Sequence, residues 1–140
     1  MSNPKQHVLL VEDNPADVNL VQEALAEAHV NCTLQIMRDG LQAVQFIDQL
    51  DADASSSSPD LILLDLNLPK VSGEEVLKRI RLSPRCGTAK VLIISSSDAR
   101  SDRERVLNLG ASEYFRKPSG LNEFMMLGPK VRSMLEGVPS

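Results

Sequence analysis

Leu61–Pro69 reads LILLDLNLP, a short apolar run set between Pro59 and Pro69. A run of this length bounded by turn formers reads as a strand buried on both faces. It nevertheless carries a carboxylate, Asp65, near its C-terminal end. An ionised carboxylate left unpartnered beside Leu64 and Leu66 would cost several kcal/mol, so the fold must supply a cation or place Asp65 in a crevice that reaches solvent. In open parallel α/β sheets that crevice lies outside the strand C-termini, where ligands bind. Asp65 is therefore the first candidate for chemistry.

Working towards the N-terminus, Cys32–Met37 (CTLQIM) alternates as a strand, and Asp39-Gly40 punctuates it before a helix with Leu41, Val44, Ile47 and Leu50 on one face. Further back, His7–Val11 (HVLLV) is an apolar run that ends in Glu12, Asp13 and Asn14. Asn14 followed by Pro15 makes a cap and first helical residue, Asp17 complements the helix dipole, and Val18, Val21 and Leu25 recur at helical spacing. The small polar stretch DADASSSSP from Asp51 to Pro59 reads as a flexible surface loop, because what precedes it is too short to build its own core.

Towards the C-terminus, Ser72-Gly73 leads into a helix with Val76, Leu77 and Ile80, which Ser83-Pro84 ends. Val91–Ile94 (VLII) is a further buried strand running out into Ser95, Ser96 and Ser97. Ser101 and Glu104 have capping-box spacing for the next helix, and Gly110 stands where its C-terminal cap belongs. Glu113–Arg116 is a last short strand closed by Lys117-Pro118. A final helical segment, Leu121–Leu135, contains Gly128-Pro129, where a kink or break is expected. Strand and helix thus alternate about five times, the pattern of a doubly wound α/β fold: a parallel sheet with helices on both faces.

The whole-chain totals narrow the function. The 140 residues fit one domain, 42% are hydrophobic and only 3% aromatic, so the core is aliphatic. A net charge of −4 gives no basic field for nucleic acid or anionic lipid. No window approaches the roughly 18 apolar residues of a membrane span, and the N-terminus MSNPKQHV lacks the apolar core of a signal peptide, so a cytoplasmic location is expected. Cys32 and Cys86 form no CxxC pair and read as reduced thiols; His7 and His29 stand apart from any ligand cluster. Arg100, Arg103 and Arg105 read as a solvated helix face.

If the sheet is parallel, the residues following its strands share one edge: Glu12 and Asp13 after the first, Asp65 in the third, Ser95 after the fourth and Lys117 after the last. Three clustered carboxylates repel one another, and a hard divalent cation such as Mg²⁺ relieves that repulsion while keeping room for a phosphoryl group. The cation, the Lys117 ammonium and the Ser95 hydroxyl together suit a transferring phosphoryl group, with Asp65 as nucleophile.

VEDNPADV, DLNLPKVSG, the Ser95 hydroxyl and YFRKP, in that order from Val8 to Leu135, resemble the receiver domain of two-component response regulators. The resemblance implies the flavodoxin-like, CheY-like sheet order 2-1-3-4-5, a single receiver domain over residues 1–140 with its core at about 7–136, and no output domain. It implies that Asp65 accepts a phosphoryl group from a sensor histidine kinase, with Mg²⁺ held by Glu12, Asp13, Asp65 and the backbone carbonyl of Asn67. Lys117 would pair with the phosphoryl group, Ser95 would move to it, and Tyr114 would be the aromatic switch. The protein would then be a self-catalysed phosphoacceptor and not an enzyme with turnover.

The Lys117-Pro118 bond resembles the family's cis peptide, against trans as the default for any X-Pro bond. Ser95 stands where the family more often has Thr, Ser72 where it often has Asp, and Pro129 interrupts the last helix. The start NPADVNLVQEAL, the DLNLPK run and the Ser-rich loop are similar to regulators paired with phytochrome-type histidine kinases, bacteriophytochromes among them; a homodimer through the last strand and helices is expected of that subgroup. The competing reading, an aspartyl-nucleophile phosphohydrolase, is disfavoured because the residue two after the nucleophile is Asn67 and not a second carboxylate.

Overall fold

The computed structural model describes residues 5–137. Met1–Pro4 and Val138–Ser140, which the expected domain limits include, lie outside the described residues. The chain alternates β1 (Gln6–Val11), α1 (Pro15–Glu27), β2 (Cys32–Met37), α2 (Gly40–Ala52), β3 (Leu61–Asp65), α3 (Gly73–Leu82), β4 (Lys90–Ser95), α4 (Arg100–Asn108), β5 (Glu113–Arg116), α5 (Leu121–Phe124) and α6 (Leu127–Glu136). All strand pairs are parallel and the sheet order is β2-β1-β3-β4-β5, as the resemblance implied.

Side chains on the central strands alternate between two cores, because successive residues of a strand face opposite sides of the sheet. Leu9, Val11, Ile62, Leu64, Val91 and Ile93 pack with Ala43, Ile47, Val76, Leu77, Ile80 and Val106, which come from α2, α3 and α4. Val8, Leu10, Leu61, Leu63, Leu92 and Ile94 pack with Val18, Val21 and Leu25 of α1 and with Phe124, Leu127 and Val131 of α5 and α6. The continuous apolar runs are thus explained: both faces are covered, so no polar alternation is needed.

Local chemistry sets the element boundaries. Asn14 Oδ1 accepts from the backbone N–H of Ala16 and Asp17, and Pro15 begins α1. Ser72 Oγ accepts from Glu75 N–H at the start of α3. Gly73 is required there, since a Cβ at this position would lie 2.1 Å from the Asp65 carbonyl oxygen. Gly110, at φ +110°, closes α4 in a conformation glycine tolerates best.

Four expectations are corrected. α4 begins at Arg100 behind Ala99 with no side-chain cap, so Ser101 and Glu104 form no capping box; Glu104 pairs instead with Arg100. The break in the last helical segment falls at Met125-Met126 and not at Gly128-Pro129. Pro129 has no N–H for the Met125 carbonyl, which accepts from Gly128 instead, so the chain restarts its helix with Pro129 in the first turn of α6, where proline is tolerated. On α2 the buried face is Gly40, Ala43, Ile47 and Leu50, with Leu41 exposed. The peptide preceding Pro118 is trans, the default for an X-Pro bond.

Candidate functional site

Parallel strands bring their C-terminal ends to one edge, and the register fixes which residues meet there. Val11 pairs with Leu64 and Asp65 with Ile94, so Glu12 and Ser95 each follow directly on residues flanking the tip of β3. Ser95 in turn pairs with Arg116, and the Lys117 N–H donates to the Ser95 carbonyl at 2.7 Å. That bond ties the base of the lysine to the tip of β4. Glu12, Asp65 and Ser95 are all buried, whereas Asp13 is exposed.

The Lys117 ammonium lies at the centre of the cluster. It donates to Glu12 Oε1 at 2.5 Å, to Asp17 Oδ2 at 2.9 Å and to Asp65 Oδ2 at 3.2 Å. Asp65 Oδ1 accepts from the Asn67 N–H at 3.2 Å, which begins the turn after β3. Glu12 Oε2 accepts from Asn14 N–H at 3.4 Å, and the Glu12 N–H donates to the Met37 carbonyl.

Burial, with a further contribution from the hydrogen bond to Asp65, pushes the Glu12 carboxyl up to about 8 from its ordinary 4.5. Desolvation opposes the charge on Lys117, but its hydrogen bonds to Glu12 and Asp17 and the charge of Asp65 outweigh it and hold the ammonium above its ordinary range. The cluster is therefore short of positive charge, and the lysine is locked in its cationic form.

Glu12, Asp13 and Asp65 each offer a carboxylate oxygen, and the three oxygens lie within 4.8 Å of one another. This is an all-oxygen donor set on a partly open rim, which suits a hard divalent cation that keeps part of its water shell. The residues present fit such an ion. Asn67, expected to contribute its backbone carbonyl, sits at the turn immediately after Asp65.

A second set of contacts leads away from the rim. Ser95 Oγ accepts from the Ser97 N–H at 3.1 Å, and the Ser97 carbonyl accepts from the Tyr114 hydroxyl at 2.9 Å. Ser97 Oγ donates to Asp102 Oδ2 at 2.7 Å on α4. The Arg103 guanidinium lies 5.9 Å from the centre of the half-buried Tyr114 ring. Ser95 and Tyr114 are thus joined through one residue of the loop after β4.

Sequence reasoning missed two participants. Asp17 was read only as a helix-dipole acid, yet it is a direct partner of Lys117; its signal was its place in the first turn of α1, directly after the Glu12-Asp13 strand end. Ser97 was read as part of a run-out and, with Asn67, as a flank of the attacking water's path, and nothing in its spacing shows that it bridges Ser95 and Tyr114. Arg100, Arg103 and Arg105 are all exposed, as a solvated helix face requires, and Arg105 also donates to Glu74 Oε1 at 2.5 Å and to Asp102 Oδ1 at 2.9 Å.

Residues 8–127 match the model of the response regulator receiver domain. The chain is 37% identical over 139 residues to the response regulator Rcp1 of Synechocystis sp., covering 99% of this chain and 90% of that one. Among solved structures it resembles the phosphorylated cyanobacterial phytochrome response regulator RcpA, with a TM-score of 0.85, 34% identity and 98% of each chain covered. The Mn²⁺-bound form of Rcp1 gives a TM-score of 0.84 at 38% identity, over 97% of this chain and 98% of that one.

Proposed function

The chain belongs to the response regulator receiver domain family of two-component signalling, and from that premise we propose that Asp65 is its phosphoacceptor, served by Glu12, Asp13, Asn67, Lys117 and Ser95. The observation that carries this reading is the meeting of the Glu12, Asp13 and Asp65 carboxylate oxygens within 4.8 Å, with the Lys117 ammonium bonded to Glu12 and Asp65.

Receivers take their phosphoryl group from histidine kinases. A carboxylate oxygen of Asp65 attacks phosphorus and forms the new O–P bond as the P–N bond to the donor imidazole breaks, the electron pair remaining on the imidazole nitrogen. Glu12, Asp13, Asp65 and the Asn67 carbonyl would hold Mg²⁺, whose contribution is to offset the charge on the phosphoryl oxygens. Lys117 holds a phosphoryl oxygen with the proton it now gives Asp65, and the buried Ser95 hydroxyl lies at the neighbouring strand tip to bind another. Deep burial of Ser95, at 0% exposure, keeps bulk water from that side.

The phosphoryl group carries nearly two negative charges, and its arrival is read out through the loop after β4. If Ser95 Oγ turns to the phosphoryl group, the Ser97 N–H loses its acceptor and the Tyr114 hydroxyl's acceptor moves with it. Tyr114 and α4 then form the surface that a partner recognises. Dephosphorylation is self-catalysed, so the protein acts as a regulator without substrate turnover.

The likeness to Rcp1 and RcpA supports a phytochrome-type histidine kinase as donor. A single receiver domain working in the cytoplasm, with pairing of two copies across β5 and the last helices, completes the reading. Among the described residues no helix is long and apolar enough to cross a membrane.

The test is intact-mass measurement after incubation with acetyl phosphate and Mg²⁺. One added phosphoryl group is expected on the wild type and none on Asp65→Asn. Equal labelling of both overturns the assignment, and so does a wild type that takes none.

A further inference from the structure

We propose that Asp17 is a positioning residue that holds the Lys117 ammonium back from the phosphoryl group and thereby limits how tightly the site binds one; this deepens the receiver reading and rests on it. An ammonium has three protons, and Lys117 gives all three to carboxylates: Glu12 at 2.5 Å, Asp17 at 2.9 Å and Asp65 at 3.2 Å. A phosphoryl oxygen gains a proton from Lys117 only as one of these acceptors gives it up.

The three acceptors differ in what else can satisfy them. Glu12 and Asp65 belong to the trio of carboxylates within 4.8 Å that suits a divalent cation, so each has a second positive partner available. Asp65 is also the group that the phosphoryl esterifies. Asp17 belongs to neither arrangement; it stands on α1, with its side chain 22% exposed, and Lys117 is its cation. When the cation and the phosphoryl group are both in place, Asp17 is the carboxylate that still competes for the lysine.

Its charge also stands beside the lysine that a phosphoryl group would engage. Asp17 lines an open cavity of about 620 Å³ together with Ser96, Arg116, Lys117, Ser119 and Glu123. A dianionic phosphoryl group beside Lys117 meets the Asp17 charge at short range, in a half-buried place where screening is incomplete. Competition for the proton and repulsion act in the same direction. Asp17 therefore weakens phosphoryl binding, while the 2.9 Å bond keeps Lys117 at the rim when no phosphoryl group is present.

The probe is beryllofluoride, a stand-in for the phosphoryl group on a carboxylate, titrated at saturating Mg²⁺ by calorimetry and ¹⁹F NMR. Asp17→Asn keeps an oxygen that can accept from Lys117 but removes the charge, and it is expected to bind beryllofluoride roughly five- to tenfold more tightly than the wild type. Asp17→Glu restores the charge and is expected to return the wild-type affinity, a rescue that a loss of packing would not give. Equal or weaker binding by Asp17→Asn, or Asp17→Glu binding as tightly as Asp17→Asn, overturns the proposal. If Asp17→Asn does not fold, Asp17→Ser is read by the same criteria. A wild type that binds no beryllofluoride, or an Asp65→Asn variant that binds it equally, overturns the receiver reading itself; a binding wild type matched by Asp17→Asn overturns this inference alone.

Discussion

The two edges of the sheet treat charge in opposite ways. At the strand C-termini, Glu12, Asp17 and Asp65 share the single Lys117 ammonium, with Asp13 alongside. At the N-terminal edge three guanidiniums are spread over acceptors, Arg79 on the carboxylates of Asp48 and Asp51, and Arg81 and Arg85 on backbone carbonyls. Asp51 accepts from Arg79 Nη2 at 2.8 Å and from Ser83 Oγ at 2.6 Å. Arg85 donates to the carbonyls of Leu50, Asp53 and Ser56, so the Ser-rich loop is pinned where it leaves α2. Arg81 donates to the carbonyls of Gly87, Ala89 and Gly110, which are loop ends that no strand or helix satisfies. The difference teaches where this fold keeps its stability and where it keeps its reactivity. One edge is a staple and the other holds negative charge in excess, ready for a cation and a phosphoryl group.

Breaking the staple is expected to produce the largest effect on folding. Arg81→Met keeps the aliphatic stem but leaves three carbonyls without their donor, and partial access of water softens the loss. The expected cost is about 3 kcal/mol, or a fall in Tm of about 10 °C for a domain of this size. Thermal melts followed by circular dichroism check this. Labelling of the folded variant by acetyl phosphate is expected to be unchanged, because Arg81 stands at the edge opposite Asp65.

The same kind of substitution at the rim is expected to have the opposite sign. Asp65→Asn removes one of the crowded carboxylates while Lys117 keeps Glu12 and Asp17 as partners, so the metal-free protein gains about 1 kcal/mol and melts about 3 °C higher. The pH dependence follows from Glu12. Its folded value of about 8 exceeds the ordinary 4.5, so the folded state holds a proton that the unfolded chain has released between those values. The contribution of Glu12 to stability in EDTA is therefore fully present below about pH 4.5 and is lost as the pH rises through 8. Asp65→Asn relieves part of the cause and flattens that slope. A variant that melts lower than wild type, with the slope intact, would show that the rim is not strained.

Asp51 gives the matching acid-side measurement. The Ser83 hydroxyl and then Arg79 hold its carboxyl below the ordinary 3.8, so its contribution is present above that value and is lost as the pH falls through the lower folded value. Asp51→Asn is expected to lower Tm at pH 7 by less than Arg81→Met does, and to lose the steepening of the acid limb below pH 4. The two edges then differ in the sign of their pH dependence, acid weakening one and base the other.

The rim was legible in the sequence because its members follow strand ends, and a parallel sheet carries every such residue to one edge. Asp65 declared itself as a charge in an apolar run, and Pro15, Ser72 and Gly73 marked helix starts by their own backbone chemistry. The staple was not legible. Arg79, Arg81 and Arg85 belong to α3 and the turn after it, but apart from Gly87 and Ala89, which lie 6 and 8 residues beyond Arg81, their partners come from 28 to 35 residues earlier or, for Gly110, 29 later. Carbonyl acceptors carry no side-chain signature, so a guanidinium that serves them looks like any surface arginine. Pro129 was seen as a breaker, yet where the helix broke depended on which carbonyl found another donor, and Met125 found Gly128.

The smallest expected effect tests whether the rim communicates with the face beyond it. Tyr114→Phe removes the hydroxyl that donates to the Ser97 carbonyl at 2.9 Å and leaves the ring that faces Arg103. One partly exposed hydrogen bond to a carbonyl that water can reach is worth about 0.5–1 kcal/mol, so the melt moves by only a few degrees. The informative readout is the amide spectrum. Ser97 N–H donates to Ser95 Oγ, so releasing its carbonyl from Tyr114 lets the loop swing and weakens that bond. The Ser97 and Ala99 amide resonances are expected to shift in the unphosphorylated variant towards their positions in the beryllofluoride-bound wild type. Shifts confined to Tyr114 and its strand neighbours, with Ser97 unmoved, would mean that the ring and the rim are independent, and that the excess charge at the strand ends acts on its own edge alone.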